Sequence, residues 1–203
     1  ITQAFDEELG YRFTPGYRSN WGAFVSNQYG QLLGDHSILT YRLDLRSERG
    51  IAGGIDLTSR RFRDNPNFGK FQAYYAQDTD PMRTITGISE DRSDVEDGRY
   101  RINLQHRIYL PGPEESTFYV DIDMNKLSDE FFYQDFFPGE FLVDPQPDNI
   151  VNVVKQFKNA ELSIMGRFDV NDFFQTDTRS PEIALDFVRH PLWNSGVFYT
   201  GTN

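Results

Sequence analysis

The chain has 203 residues, no cysteine, and a formal net charge of -11 from 31 acidic and 20 basic side chains. That balance excludes a general attraction to nucleic acid or to an anionic membrane surface, and the missing thiols exclude disulfide frameworks, thiolate metal sites and a cysteine nucleophile. A mean hydropathy of -0.60 without a long apolar run excludes a transmembrane helix. It leaves a transmembrane barrel open, because barrel strands give only alternate residues to lipid.

The first element, Tyr11 to Ser19, holds Pro15-Gly16 and reads as a short extended segment broken by a turn or bulge. Trp21, Ala23, Val25 and Tyr29 alternate with small or polar residues and predict the first full strand. Leu39, Tyr41, Leu43 and Leu45, interleaved with Thr40, Arg42, Asp44 and Arg46, predict the next. Ser47-Glu48-Arg49-Gly50 is a tight turn into a strand carrying Ile51, Ile55 and Leu57, where Gly53-Gly54 predicts a bulge or a close backbone approach. Asp64-Asn65-Pro66-Asn67 predicts a turn before a strand at Phe71, Ala73 and Tyr75, and the acidic stretch from Asp78 to Asp97 predicts a long exposed loop.

Between Arg99 and Asn125 the pattern is cleanest. Arg99, Arg101, Asn103, Gln105 and Arg107 alternate with Tyr100, Ile102, Leu104 and Ile108, and only His106 breaks the dry row. After Pro111-Gly112-Pro113, Phe118, Val120, Ile122 and Met124 alternate with Tyr119, Asp121, Asp123 and Asn125. This is an antiparallel hairpin whose polar face can pair Arg99, Arg101 and Arg107 with Asp121 and Asp123. From Leu127 to Pro147 no period survives, and the Phe131-Phe132 and Phe136-Phe137 pairs predict an excursion packed by its own aromatics. Strands resume at Val151 to Phe157, Ala160 to Val170, Ile183 to Val188 and Val197 to Thr200. The fold class expected is all-β, an antiparallel meander of about ten strands.

Catalytic and metal motifs fail on inspection. Asp121-Ile122-Asp123-Met124-Asn125 has the opening spacing of a calcium loop, but Lys126 stands where Gly makes the sharp turn and Phe132 where a bidentate Glu closes the site. Asp129 and Asp135 are an acid pair of the kind glycoside hydrolysis uses, without any supporting feature. His36, His106 and His190 lie far apart, with no serine elbow or phosphate loop beside them. The expectation is a protein without enzymatic activity or cofactor. Trp21, Tyr29, Tyr100 and Tyr109 lie near strand ends, where an aromatic girdle or ordinary sandwich packing places such residues.

Four stretches, taken in order, resemble the outer-membrane barrel family that assembles lipopolysaccharide, the LptD family. Pro15 to Phe24 is similar to the start of that family's first barrel strands, and Arg46 to Gly54, with Arg49 and Gly50, to its next tight turn. Tyr119 to Asp129, ending in Ser128-Asp129 and followed by Phe132 and Asp135-Phe136, is similar to its strand ending in Ser-Asp, then an aromatic, then Asp-Phe. Arg179 to Asp186, with Pro181, is similar to a later segment in which proline introduces a strand.

The resemblance implies a large transmembrane β-barrel in a Gram-negative outer membrane. Residues 1–203 would be the first part of its wall, a fragment without the periplasmic jelly-roll and the closing strands. Rows such as Tyr100, Ile102, Leu104 and Phe118, Val120, Ile122 would face lipid, while Arg42, Arg101, Arg107, Asp121 and Asp123 would line the lumen. Lipopolysaccharide would leave through a lateral seam at the first strand, for which Pro15, Gly16, Trp21 and Gly22 are the candidates. The implied partners are lipopolysaccharide, a plug lipoprotein of the LptE kind and periplasmic lipopolysaccharide bridge proteins. Two departures stand out: no proline lies between Pro15 and Pro66 to weaken the seam, and the cysteines that tie some members to their periplasmic domain are missing. The competing expectations are a soluble sandwich or jelly-roll that binds glycans, and a porin-like transport barrel. A barrel wall leaves the apolar rows open over a continuous belt, whereas a sandwich buries them between two sheets.

Overall fold

The computed structural model describes residues 8–61, 66–84, 90–112, 116–174, 181–191 and 198–201, with side chains described up to residue 187. The strands are β1 (Gly10–Arg18), β2 (Gly22–Leu33), β3 (Ser37–Arg46), β4 (Gly50–Ser59), β5 (Phe68–Gln77), β6 (Gly98–Leu110), β7 (Thr117–Leu127), β8 (Ile150–Gln156), β9 (Ala160–Arg167), β10 (Glu182–Pro191) and β11 (Phe198–Gly201). Two short helices, α1 (Phe132–Phe136) and α2 (Pro138–Phe141), interrupt them between β7 and β8. All eleven strands form one antiparallel sheet in sequence order, a meander open at β1 and β11.

The alternations of the sequence are realised within each strand, with corrections at the edges: Trp21 stands in the turn before β2, β9 ends at Arg167 so that Phe168 and Val170 lie beyond it, and the first element is not broken. Pro15-Gly16 does not break the first strand: β1 pairs with β2 without a slip from Gly10↔Gly30 to Arg18↔Gly22, with Pro15 opposite Val25. Proline fits because β1 is an edge strand, with one hydrogen-bonded neighbour instead of two. Gly16 lies opposite Phe24, and a Cβ there would come within 2.5 Å of that ring, so this glycine makes room for an aromatic. Gly53-Gly54 is the close approach and not a bulge, since β4 keeps register with both neighbours through it. The turn at Asp64-Asn65 and the strand start at Val197 lie outside the described residues.

The tight turn before Gly50 is also as expected. Gly50 has φ +76°, and a side chain there would meet the Gln77 carbonyl oxygen. Gly50→Ala is expected to destabilise the fold by about 1–3 kcal/mol, the cost of a strained left-handed residue, read as a lower unfolding midpoint.

The burial pattern is the reverse of that in a water-soluble core. One face of the sheet carries apolar residues that pair row by row: Tyr29, Tyr41, Ile55, Ala73 and Ile102 in one row, and Leu39, Leu57, Phe71, Leu104 and Met124 in the next. None of these ten is buried, and nothing among the described residues packs over them. The other face carries Arg42, Asp56, Gln72, Asn103, Arg107 and Asp121. Among the described residues sixteen polar or charged side chains are buried against eleven apolar ones, so the dry surface is outside and the polar groups are inside.

The connections also differ between the two ends of the sheet. One end holds the segments 78–97, 128–149 and 168–181, together with two tight turns; the other holds 34–36, 60–67, 111–116 and 157–159. At the long-loop end α1 and α2 fold onto the polar face, where Phe132, Tyr133 and Phe136 pack with Tyr74, Ala52, Ala76 and Leu127. That is the apolar core of the described residues, and it lies on the wet side of the sheet.

Candidate functional site

The excursion after β7 brings three acids and three arginines together at the long-loop end. Asp135 closes α1 against the sheet and accepts from Arg99 Nη1 at 2.6 Å, Arg92 Nη1 at 2.8 Å and Arg49 Nη2 at 3.2 Å. Asp78, the first residue after β5, accepts from Arg49 and Arg99 at 2.9 Å each. Asp129 takes both ends of the Arg99 fork, Nη2 at 2.6 Å and Nε at 2.9 Å. The Asp135 backbone oxygen accepts from Trp21 Nε1 at 2.6 Å. Four connections are thereby tied to one residue, Asp135: the β1–β2 turn through Trp21 on its backbone oxygen, the β3–β4 turn through Arg49 and the β5–β6 loop through Arg92 on its carboxylate, and the excursion that carries it.

All six charged groups are buried, and three arginines balance three aspartates. Burying charge at this depth is tolerable only because every partner is present and hydrogen-bonded. Burial works against the Arg92 charge, but the Asp135 and Glu90 carboxylates more than offset it and leave its pKa above the ordinary value. Tyr133 of α1 is pushed up mainly by burial. A second inward cluster joins Asp44, Arg46 and Tyr74, with Arg46 Nη2 2.9 Å from the tyrosine hydroxyl. A fifth connection docks through Asn171, whose side chain bridges the Leu127 amide at 3.0 Å and the Asn125 carbonyl at 2.7 Å.

Along the polar face the expected cross-strand charge pairs form in part. Arg107 holds Asp121 with two bonds of 2.5 and 2.6 Å, and Arg42 Nε donates to Asp56 at 2.6 Å. Asp123 accepts from Gln105 and from Asn125. Arg99 and Arg101 do not pair with the β7 acids. Arg101 lies opposite Leu127, four residues beyond Asp123, so it reaches Glu140 of α2 at 2.5 Å and stacks 3.6 Å from the Phe137 ring centre. The Arg107–Asp121 pair is about one-third exposed, so Arg107→Ala is expected to cost about 0–1 kcal/mol in a denaturant titration.

Several expectations are corrected by these positions. Trp21 is buried in a turn beneath Asp135 and not part of an outward girdle, whereas Tyr29 and Tyr100 do point outward. Tyr109 is on the polar face, paired with Tyr119. The stretch from Asp78 to Asp97 is not simply an exposed loop, because Asp78 and Arg92 are buried in the charge network. Asp129 and Asp135 are held by arginines, which suits neither an acid that must donate nor a base that must accept a substrate proton. Asp121 and Asp123 sit in mid-strand β7, and no cluster fit to hold a metal ion occurs among the described residues.

Of the seam candidates, Pro15 and Gly16 lie in β1, every residue of which is exposed. Gly22 begins β2 with φ +69° and is packed against Ser47 and Glu48, so it fixes the first turn. The motif residues Arg49, Ser128, Asp129 and Asp135 converge on the long-loop network, where Ser128 Oγ donates to Asp129 at 2.6 Å. Gly50 forms the adjoining turn, and Pro181 stands exposed one residue before β10. Sequence reasoning missed Asp78, Arg92 and Asn171. One signal was present: acids set among Phe131, Phe132, Phe136 and Phe137 cannot be buried unpaired, so arginines had to come to them. No protein-family model matches the chain, and no curated protein matches it.

Proposed function

We propose that the chain forms the first part of the wall of an outer-membrane β-barrel of the lipopolysaccharide-assembly kind, a translocon in which no bond is made or broken. The observation that carries the membrane reading is the continuous unburied apolar face over an eleven-stranded sheet whose polar face is internal. Strands β1 to β7 have 9 to 13 residues, long enough to span a hydrocarbon layer when tilted. Exposed apolar rows satisfy lipid, and the ladder satisfies the backbone groups of β2 to β10 that lipid cannot. A sandwich reading would need a second sheet over those rows, and none covers them among the described residues.

The choice of lipopolysaccharide over a porin solute rests on the four ordered motifs. The Ser-Asp, Phe and Asp-Phe residues of one motif and the arginine of another meet in a single network, which gives their spacing a physical reason. On this reading the long-loop end faces outward and the short turns face the periplasm, as outer-membrane barrels arrange them. Lipopolysaccharide would pass its sugars along the wet face and its acyl chains out past β1. The plug lipoprotein and the periplasmic bridge proteins would act from the lumen and the periplasm.

The test begins with the complete protein refolded in plain buffer and in detergent micelles. A compact, heat-sensitive gel band and β circular dichroism only in detergent are expected, and a cooperative fold in plain buffer overturns the barrel. A photocrosslinker at Thr14 of β1 is then expected to capture lipopolysaccharide in cells, while one at Gln105 in the wall captures less. Equal capture at both positions, or none at either, removes the translocon assignment and leaves a transport barrel.

A further inference from the structure

A cavity of about 320 Å³ lies between the polar face of β2 and β3 and the excursion, with Arg18, Arg42, Arg46, Trp21, Phe24 and Phe137 in its walls. The Arg46 side chain is 4% exposed. Its Nη2 is used by Asp44 and Tyr74, but its Nε and Nη1 have no hydrogen-bond partner among the described residues. The Arg46 guanidinium carbon stands 4.5 Å from the Trp21 ring centre, and that of Arg18 stands 4.4 Å from it. An indole quadrupole attracts each guanidinium but gives no acceptor to its N–H groups.

The charge around the cavity is unbalanced. Arg42 is taken by Asp56, and Glu140 is taken by Arg101. Asp44 is shared among Arg46, Tyr74 and Ser26, whose hydroxyl donates to it at 2.5 Å. Arg18 forms no ion pair among the described residues, although the chain as a whole is strongly acidic. An excess of guanidinium donors fits an oxyanion, for which charge-assisted and bidentate bonds are available. The walls of Trp21, Phe24 and Phe137 offer flat apolar surface to whatever carries that oxyanion.

We propose that this cavity binds an acidic sugar, with its phosphate or carboxylate held by Arg18 and Arg46 and its ring laid against the aromatic wall. The inference deepens the translocon reading and rests on it, since it takes the polar face to be a lumen through which sugars pass. The shared chemistry is an oxyanion on a sugar ring, whether the sugar is free or part of a glycolipid.

Trp21 is one of two tryptophans in residues 1–203, so Trp193→Phe, with any tryptophan outside these residues also replaced by Phe, leaves a single emitter beside the cavity. The complete protein with that substitution, refolded in detergent, is titrated with glucose 6-phosphate, inorganic phosphate and glucose while its fluorescence is followed. A saturable change with glucose 6-phosphate, weaker with phosphate and missing with glucose, is expected. Arg18→Gln, on an exposed side chain, is expected to raise the dissociation constant about tenfold or more while the heat-sensitive gel band persists. No saturable change, or an unchanged constant in Arg18→Gln, overturns the site. An equal affinity for inorganic phosphate overturns the sugar. If the gel band shows the barrel while no ligand binds, the cavity inference alone has failed; a protein that folds without detergent removes the reading beneath it. The same titration with lipopolysaccharide micelles separates the two sources: saturation by both supports one oxyanion site, and saturation by neither overturns it.

Discussion

Asp135→Asn is expected to destabilise the long-loop end by about 3–5 kcal/mol, the usual cost of removing one partner from a buried ionic group. The substitution keeps the shape of the side chain but takes the negative charge from three arginines, leaving Arg49 with Asp78, Arg99 with Asp78 and Asp129, and Arg92 with Glu90. An amide can still accept from one of them, but not from all three. The expected result is a barrel that keeps its heat-sensitive band while the segments 90–97 and 128–149 become open to proteolysis, because the loops and not the ladder depend on this carboxylate. Trp21 emission is expected to shift to the red as its cover loosens. Wild-type protection of both segments in the variant would show that aromatic packing, and not charge, seats the excursion.

The second large effect is expected on the opposite face. Ile55→Arg places a charge between Tyr41 and Ala73 in the middle of the exposed apolar row. If that row faces lipid, the cost is about 2–4 kcal/mol near the bilayer midplane, falling toward the interfaces. Thr58→Arg, three residues away on the polar face, is expected to shift stability by less than about 0.5 kcal/mol, as for an ordinary wet-surface change. In a water-soluble protein the order is different, since an arginine on an open surface costs little wherever it stands. Denaturant titrations of both variants in the same lipid vesicles compare them directly.

Much of this architecture was legible because one property, the period-2 alternation, fixes strand, face and partner together. Leu39 to Arg46 shows it without interruption and Arg99 to Ile108 with only His106 out of pattern, and their registers follow from it. The first strand was harder, because Pro15-Gly16 carries a turn signal that an edge strand overrides. The site was less legible for a different reason. Arg99 and Asp121 are on facing strands and invite pairing, yet Arg99 lies one residue beyond the start of β6, level with the excursion, so it meets Asp129 and Asp135 instead. Such a pairing depends on how an aperiodic segment folds back. Arg92 and Asn171 come from loops, where no periodicity points a side chain anywhere.

Residues 1–203 have no native cysteine, so once any cysteine outside them is replaced the central claim can be tested with single nitroxide labels placed one at a time along neighbouring strands. Pairs of adjacent residues serve best: Leu57 and Thr58 in β4, Phe71 and Lys70 in β5, and Leu104 and Gln105 in β6. In each pair one residue lies on the apolar face and the other on the polar face. In lipid vesicles, collision with oxygen is expected to be high and with a water-soluble nickel complex low at Leu57, Phe71 and Leu104, with the order reversed at Thr58, Lys70 and Gln105. Leu57, Phe71 and Leu104 shielded from both reagents would mean that a second layer of protein covers this face, and the membrane wall would be wrong.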